Sequence, residues 1–211
     1  MHTANLTDYS FIAPIYDKIF LRPLSEGHKE LGSLLRRNRP KGRLLRVLEV
    51  GVGSGLILPH VPAGVDYTGI DVNEKMLEVA TRKVNILRTR KIQLQQMNAE
   101  RMAFTPNSFD MVIAPSVLSA MAKPLKGLQE IVRVTKRGGK IAVIVNLRKE
   151  GTFRSKVIKA LDPFTRRFMG FRLDLSLDDF KKFKMLKILE VKEVNTLFGQ
   201  PLSTYILFEK L

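Results

Sequence analysis

The sequence predicts an α/β fold: a seven-stranded, mainly parallel sheet with helices on both faces and a C-terminal antiparallel hairpin. Three observations carry this. Short apolar, β-branched runs alternate with stretches of helical periodicity through the middle of the chain, the pattern of βαβ units. The first such run ends in three closely spaced glycines, Gly51, Gly53 and Gly55, where a strand would turn into a helix. The last 26 residues hold two alternating runs, 186–196 and 202–209, around Gly199-Gln200-Pro201.

In order, residues 1–43 form an N-terminal cap. Tyr9, Phe11, Ile12, Ile15, Tyr16, Ile19 and Phe20 crowd together, Pro14 suits the first turn of a helix to about residue 21, and Pro23 interrupts it. A second helix over about 25–36 aligns Leu24, His28, Leu31 and Leu35, with a basic cluster after it. The segment carries 8 basic and 4 acidic residues, so it can either cover the sheet or lie in a membrane interface. The core spans 44–146, with strands expected at 44–50, 66–71, 92–97, 111–114 and 140–146. One helix runs from an Asn73 cap toward residue 90, aligning Met76, Leu77, Ala80, Val84 and Leu87, and another covers 124–134. The outer face of the helix after Asn73, with Lys75, Arg82 and Lys83, reads as solvated. Residues 147–187 form a basic insertion, 12 basic against 5 acidic residues, interleaved with Phe153, Phe164, Phe168, Phe171, Phe180 and Phe183; 188–211 close the sheet. The whole is one domain of 211 residues.

Composition narrows the function classes. No cysteine is present, which excludes disulfides, thiolate metal sites and a cysteine nucleophile, and no His-rich spacing suggests a metal. No apolar run approaches a spanning helix and the start lacks a secretory pattern, so a cytoplasmic location is expected. The 36 Lys and Arg against 20 Asp and Glu, a net charge of +16, favour a polyanionic partner.

The glycine spacing is Gly-x-Gly-x-Gly preceded by Glu49, not the Gly-x-Gly-x-x-Gly that seats a pyrophosphate. Asp71 ends the second strand, near the spacing at which a carboxylate meets a ribose. Met97-Asn98-Ala99-Glu100, the fourth strand around Asp110 to Ala114, and Lys136-Arg137-Gly138-Gly139 before strand five follow in order. Together these resemble the class I S-adenosylmethionine-dependent methyltransferases. The resemblance implies a Rossmann-like class I methyltransferase fold and S-adenosylmethionine held by Tyr16, Glu49, Gly51, Val52, Gly53, Gly55, Asp71, Val72, Met76, Asn98, Ala99, Glu100 and Ala114.

The segment Ser10 to Phe20, the glycine loop, Met97 to Glu100 and Val145-Asn146 are similar to bacterial phospholipid N-methyltransferases, peripheral enzymes that convert phosphatidylethanolamine stepwise to phosphatidylcholine. This implies Tyr9, Tyr16 and Asn146 at the reacting amine, Ser116, Arg148, Lys149 and Arg154 toward the head group, and an anionic membrane on the inner face as partner. The chain departs from that family at Ser116, Leu147 and Asn98, where Tyr, His and Asp are common. Asp17 could accept the amine's proton or cap a helix. Two rival acceptors share the core: a quinone or other small lipophile, and rRNA or tRNA. Against nucleic acid stands Ala114-Pro115-Ser116-Val117, unlike the Asn/Asp-Pro-Pro-aromatic of amino-group base methylases. A binding module without catalysis would be expected to have lost Glu49, the glycines or Asp71.

Overall fold

A computed structural model describes Asp17 and residues 24–87, 91–147, 175–197 and 200–211. The expected helix ending near residue 21, Tyr9, Tyr16, the segment 148–174 with Arg148, Lys149 and Arg154, and the tip of the closing hairpin lie outside the described residues.

The chain runs α1 (Ser25–Arg37), β1 (Leu45–Val50), β2 (Val65–Asp71), α2 (Glu74–Ile86), β3 (Lys91–Gln96), β4 (Phe109–Pro115), α3 (Pro124–Val134), β5 (Thr135–Val145), α4 (Leu177–Lys181), β6 (Leu186–Leu197) and β7 (Gln200–Lys210). Short 3-10 turns at Leu58–His60 and Leu118–Ala120 follow β1 and β4. The sheet order is β3-β2-β1-β4-β5-β7-β6. β1 to β5 are parallel, and β7 is antiparallel to both β5 and β6. Strand order reverses between β1 and β4, which opens a crevice at their carboxyl ends, where ligands of open α/β sheets bind.

Alternation along the central strands feeds two cores. Val47, Tyr67, Met111, Ile113 and Ile144 pack with Leu31, Leu34 and Leu35 of α1 and Leu77 and Ala80 of α2. Leu48, Val50, Ile70, Val112, Ala114 and Val143 pack on the other face with Leu128 and Ile131 of α3 and Phe180 of α4. A sheet covered on both sides explains why these strands read as continuous apolar runs. The outer strands read differently: β6 carries Lys187, Glu190, Lys192 and Glu193, charges that blunt an open edge.

Two expectations are corrected. β5 starts at Thr135, not Lys140, because the glycine pair forms a bulge within the strand. Between the ladder pairs Phe109↔Thr135 and Met111↔Lys140, residues 136–139 oppose Asp110 alone. Gly138 takes φ +70°, and a Cβ on Gly139 would lie 3.0 Å from the Asp110 carbonyl. Phe180 is buried in the core, where it stacks on Phe208 at 5.7 Å, and Phe183 packs against that core. Finally α2 ends at Ile86, short of residue 90, with Leu87 donating back to the Lys83 and Val84 carbonyls.

Candidate functional site

The site is built on the loop after β1. Gly51 and Val52 donate their N–H groups to the Ile70 carbonyl at 2.8 and 2.9 Å, continuing the β1–β2 ladder past the strand. All three loop glycines have positive φ: +74°, +53° and +78°. Their reasons differ. A Cβ on Gly51 would lie 2.3 Å from Val117, which follows β4, and one on Gly55 would lie 2.6 Å from Leu58 and 3.2 Å from Ala80 of α2. Among the described residues, a Cβ on Gly53 meets nothing within 4 Å. Gly51 and Gly55 thus let neighbouring elements close in, whereas Gly53 presents bare backbone to open space, where a ligand can lie against it.

Asp71 sits beside that opening. One carboxylate oxygen accepts from Gly53 N–H at 2.8 Å and the other from Asn73 N–H at 2.9 Å. The carboxylate still has lone-pair capacity for a hydroxyl donor. Burial raises the Asp71 pKa, and the N–H groups of Asn73, Gly53 and Val72 act against that rise. Val72, 51% exposed, offers an apolar surface next to it. The following loop is tied in by Met97 N–H to the Asp71 carbonyl (2.9 Å) and by Gln96 to the Val72 carbonyl (3.1 Å). Asn98 is exposed there and accepts from Glu100 N–H at 2.8 Å, and Ala99 is half-buried beside it.

Across the crevice, Ser116 at the end of β4 is exposed with φ +59°, and its N–H donates to the Ile144 carbonyl at 2.7 Å. Asn146, just past β5, accepts from the Ser203 hydroxyl at 3.0 Å. The structure therefore gathers Gly51, Val52, Gly53, Gly55, Asp71, Val72, Asn98, Ala99, Ser116 and Asn146 at the carboxyl ends of β1, β2, β3, β4 and β5.

Other expected residues are turned inward. Glu49 is 1% exposed and accepts from the Tyr67 hydroxyl. Burial pushes its pKa up to about 8; Asp71 adds to the rise, while Tyr67 and Lys83 oppose it. Met76 and Ala114 lie in the core, and Met76 contributes its N–H to the Asn73 cap at 3.2 Å. The Glu100 carboxylate accepts from Lys123 N–H at 2.8 Å and so caps α3. Asp17 is bonded to Ser54 and Lys83. Ser54, Tyr67, Lys83 and Ser203 were not expected at the site. A lysine on a charged helix face carries no sequence signal that it turns inward, and a serine between two glycines gives only a weak one.

Residues 48–143 match the model of a methyltransferase domain. The chain is 32% identical to a phosphatidylethanolamine N-methyltransferase of Cereibacter sphaeroides over 146 residues, 69% of this chain and 71% of that protein. It belongs to the class I S-adenosylmethionine-dependent methyltransferases. The methyltransferase is also 37% identical, over 99 residues, to a demethylmenaquinone methyltransferase of Renibacterium salmoninarum, covering 46% of this chain and 40% of that one. Its fold matches the crystal structure of magnesium protoporphyrin IX methyltransferase from Synechocystis PCC 6803 with bound SAH, at TM-score 0.68 and 19% identity, over 88% of this chain and 82% of that one.

S-adenosylmethionine is the cofactor, and it supplies a methyl group on a sulfonium that a nucleophile displaces directly. The residues present fit it: Gly53 lets the loop approach without a side chain, the oriented Asp71 carboxylate can accept from ribose hydroxyls, and Val72 can lie against the adenine ring. No phosphate has to be seated, in keeping with a glycine loop that uses its own N–H groups on Ile70, Val52 and Asp71.

Proposed function

We propose that the methyltransferase N-methylates the amine of an ethanolamine phospholipid, stepwise toward phosphatidylcholine, at the anionic inner face of the cytoplasmic membrane. The observation that carries this reading is the reach of the likeness. Similarity to the demethylmenaquinone methyltransferase spans 46% of the chain, about the length of the shared cofactor core, whereas similarity to the phosphatidylethanolamine N-methyltransferase spans 69% and so extends beyond it. The net charge of +16 supports an anionic surface, to which each nearby Lys or Arg contributes about 1 kcal/mol.

The chemistry asks little of the protein beyond placement. An alkylamine with a pKa near about 10.4 is protonated at neutral pH and must lose that proton before it attacks. A partly desolvated crevice lowers the pKa, and an amide oxygen such as that of Asn146 can accept from the amine and orient its lone pair toward the methyl. In this reading Ser116 and Asn146 face the acceptor, while Tyr9, Tyr16, Arg148, Lys149 and Arg154 lie on the chain segments that would approach the lipid.

A quinone-type acceptor is the second reading, favoured by the demethylmenaquinone methyltransferase likeness. Incubation with methyl-labelled S-adenosylmethionine and three acceptors in parallel separates the possibilities: phosphatidylethanolamine–phosphatidylglycerol vesicles, a quinone-precursor extract and total RNA. Label in mono-, di- or trimethylated phospholipid is expected; label confined to the quinone extract or the RNA would overturn the lipid assignment and leave the cofactor site standing.

A further inference from the structure

Ser54, between Gly53 and Gly55, is 1% exposed, yet it is gripped from two sides by residues distant in the chain. Its hydroxyl donates to one Asp17 carboxylate oxygen at 2.6 Å, and its carbonyl accepts from the Lys83 ammonium at 2.8 Å. The Lys83 ammonium also pairs with the other Asp17 oxygen at 2.6 Å. The three residues close a triangle joining the segment before α1, the glycine loop and the last turn of α2. All three contacts are short and involve a charged partner, the strong class of hydrogen bond.

Its placement is unusual for a helix-surface lysine. A Lys in the last turn of a helix already interacts favourably with the helix dipole while facing water. Here the side chain of Lys83 instead runs inward to the centre of a loop whose glycines on either side have no Cβ to limit them. With its hydroxyl and its carbonyl both engaged, Ser54 is fixed, and with it the loop shape that leaves Gly53 open. Asp17 and Lys83 lie partly in solvent, at 33% and 23% side-chain exposure, so their attraction is open to screening.

We infer that Lys83 is a positioning residue for the cofactor: paired with Asp17, it clasps Ser54 and holds the glycine loop in its binding shape. The clasp acts on cofactor affinity whichever acceptor is methylated, so its test does not depend on the lipid reading.

The test is equilibrium binding of S-adenosylmethionine and SAH to the full chain by calorimetry, with thermal unfolding of each ligand-free variant beside it. Lys83→Met is expected to weaken binding about tenfold, or 1.4 kcal/mol. Lys83→Arg keeps the charge and returns binding to within about threefold of the parent. Asp17→Lys and Lys83→Asp each bind poorly, and combining them restores most of the loss, a coupling that a purely structural lysine would not show. Added salt weakens binding by the parent severalfold and leaves Lys83→Met unchanged. If Lys83→Met fails to unfold cooperatively, Asp17→Asn carries the same test, because Asp17 lies outside the packed sheet. Parent-like affinity in the folded Lys83→Met or Asp17→Asn variant, or a swapped pair no better than its worse single, would overturn the inference.

Discussion

Gly51 and Gly53 are two residues apart, share a positive φ, and should fail in different ways. Alanine at Gly51 adds a clash with Val117 to the backbone strain, so Gly51→Ala should cost about 2–4 kcal/mol of stability. Alanine at Gly53 meets none of the described residues and should cost only the strain, about 1–2 kcal/mol, while its methyl fills the space left for the cofactor. Thermal unfolding and cofactor binding measured on both variants should therefore rank them in opposite orders. A Gly53→Ala protein that binds S-adenosylmethionine as tightly as the parent would contradict the assignment of that opening. Glu49 makes a second residue-scale prediction. Its folded pKa, about 8, lies above its ordinary value near 4.5, so between those two pH values the folded state holds a proton that the unfolded state has lost. From this group, stability is greatest below about pH 4.5 and declines as pH rises through about 8. Glu49→Gln, which keeps a partner for the Tyr67 hydroxyl, should flatten that decline and gain on the order of 1–3 kcal/mol at pH 8. Denaturant unfolding at pH 5 and pH 8 measures it, and an unchanged slope with pH would exclude a protonated Glu49.

At the scale of elements, what could be read from the sequence depended on whether a local rule or a tertiary contact decided the outcome. The Asn73 cap was legible because capping is local: the side chain accepts from Met76 N–H, and Asn73→Ala should cost about 1 kcal/mol in thermal unfolding, with a loss well below that pointing to fraying of α2 already in the parent. α1 and α3 were legible from their apolar stripes, and β1, β2 and β4 from burial on both faces. The start of β5 was not. Gly138-Gly139 has the composition of a turn, and only the approach of the Asp110 strand makes it a bulge in a continuing strand. The candidate site divides in the same way. Gly53 and Asp71 announced themselves by spacing, whereas Lys83 and Ser203 act through partners that only the folded chain brings near. Glu49 and Glu100 matched the family pattern in type and position, but their carboxylates are engaged by Tyr67 and by the start of α3.

The whole molecule carries a charge of +16, and among the described residues no helix is long and apolar enough to cross a membrane. A protein that meets a bilayer through such a field should bind reversibly and lose affinity with salt. Sedimentation with phosphatidylglycerol-containing vesicles should show strong binding at low ionic strength, falling steeply toward about 0.5 M salt, and little binding to neutral vesicles. Binding indifferent to salt would remove the electrostatic part of the proposal. The central claim, that the methyl group goes to an ethanolamine lipid, is tested most directly in a bacterial host whose membrane contains phosphatidylethanolamine and no choline lipid. The chain is expressed there and the total lipid extract is read by mass spectrometry. The account predicts phosphatidylethanolamine species heavier by one, two or three methyl groups, absent from a host expressing Gly53→Ala. Unmodified phospholipid, from a host containing folded protein that binds S-adenosylmethionine, would contradict it.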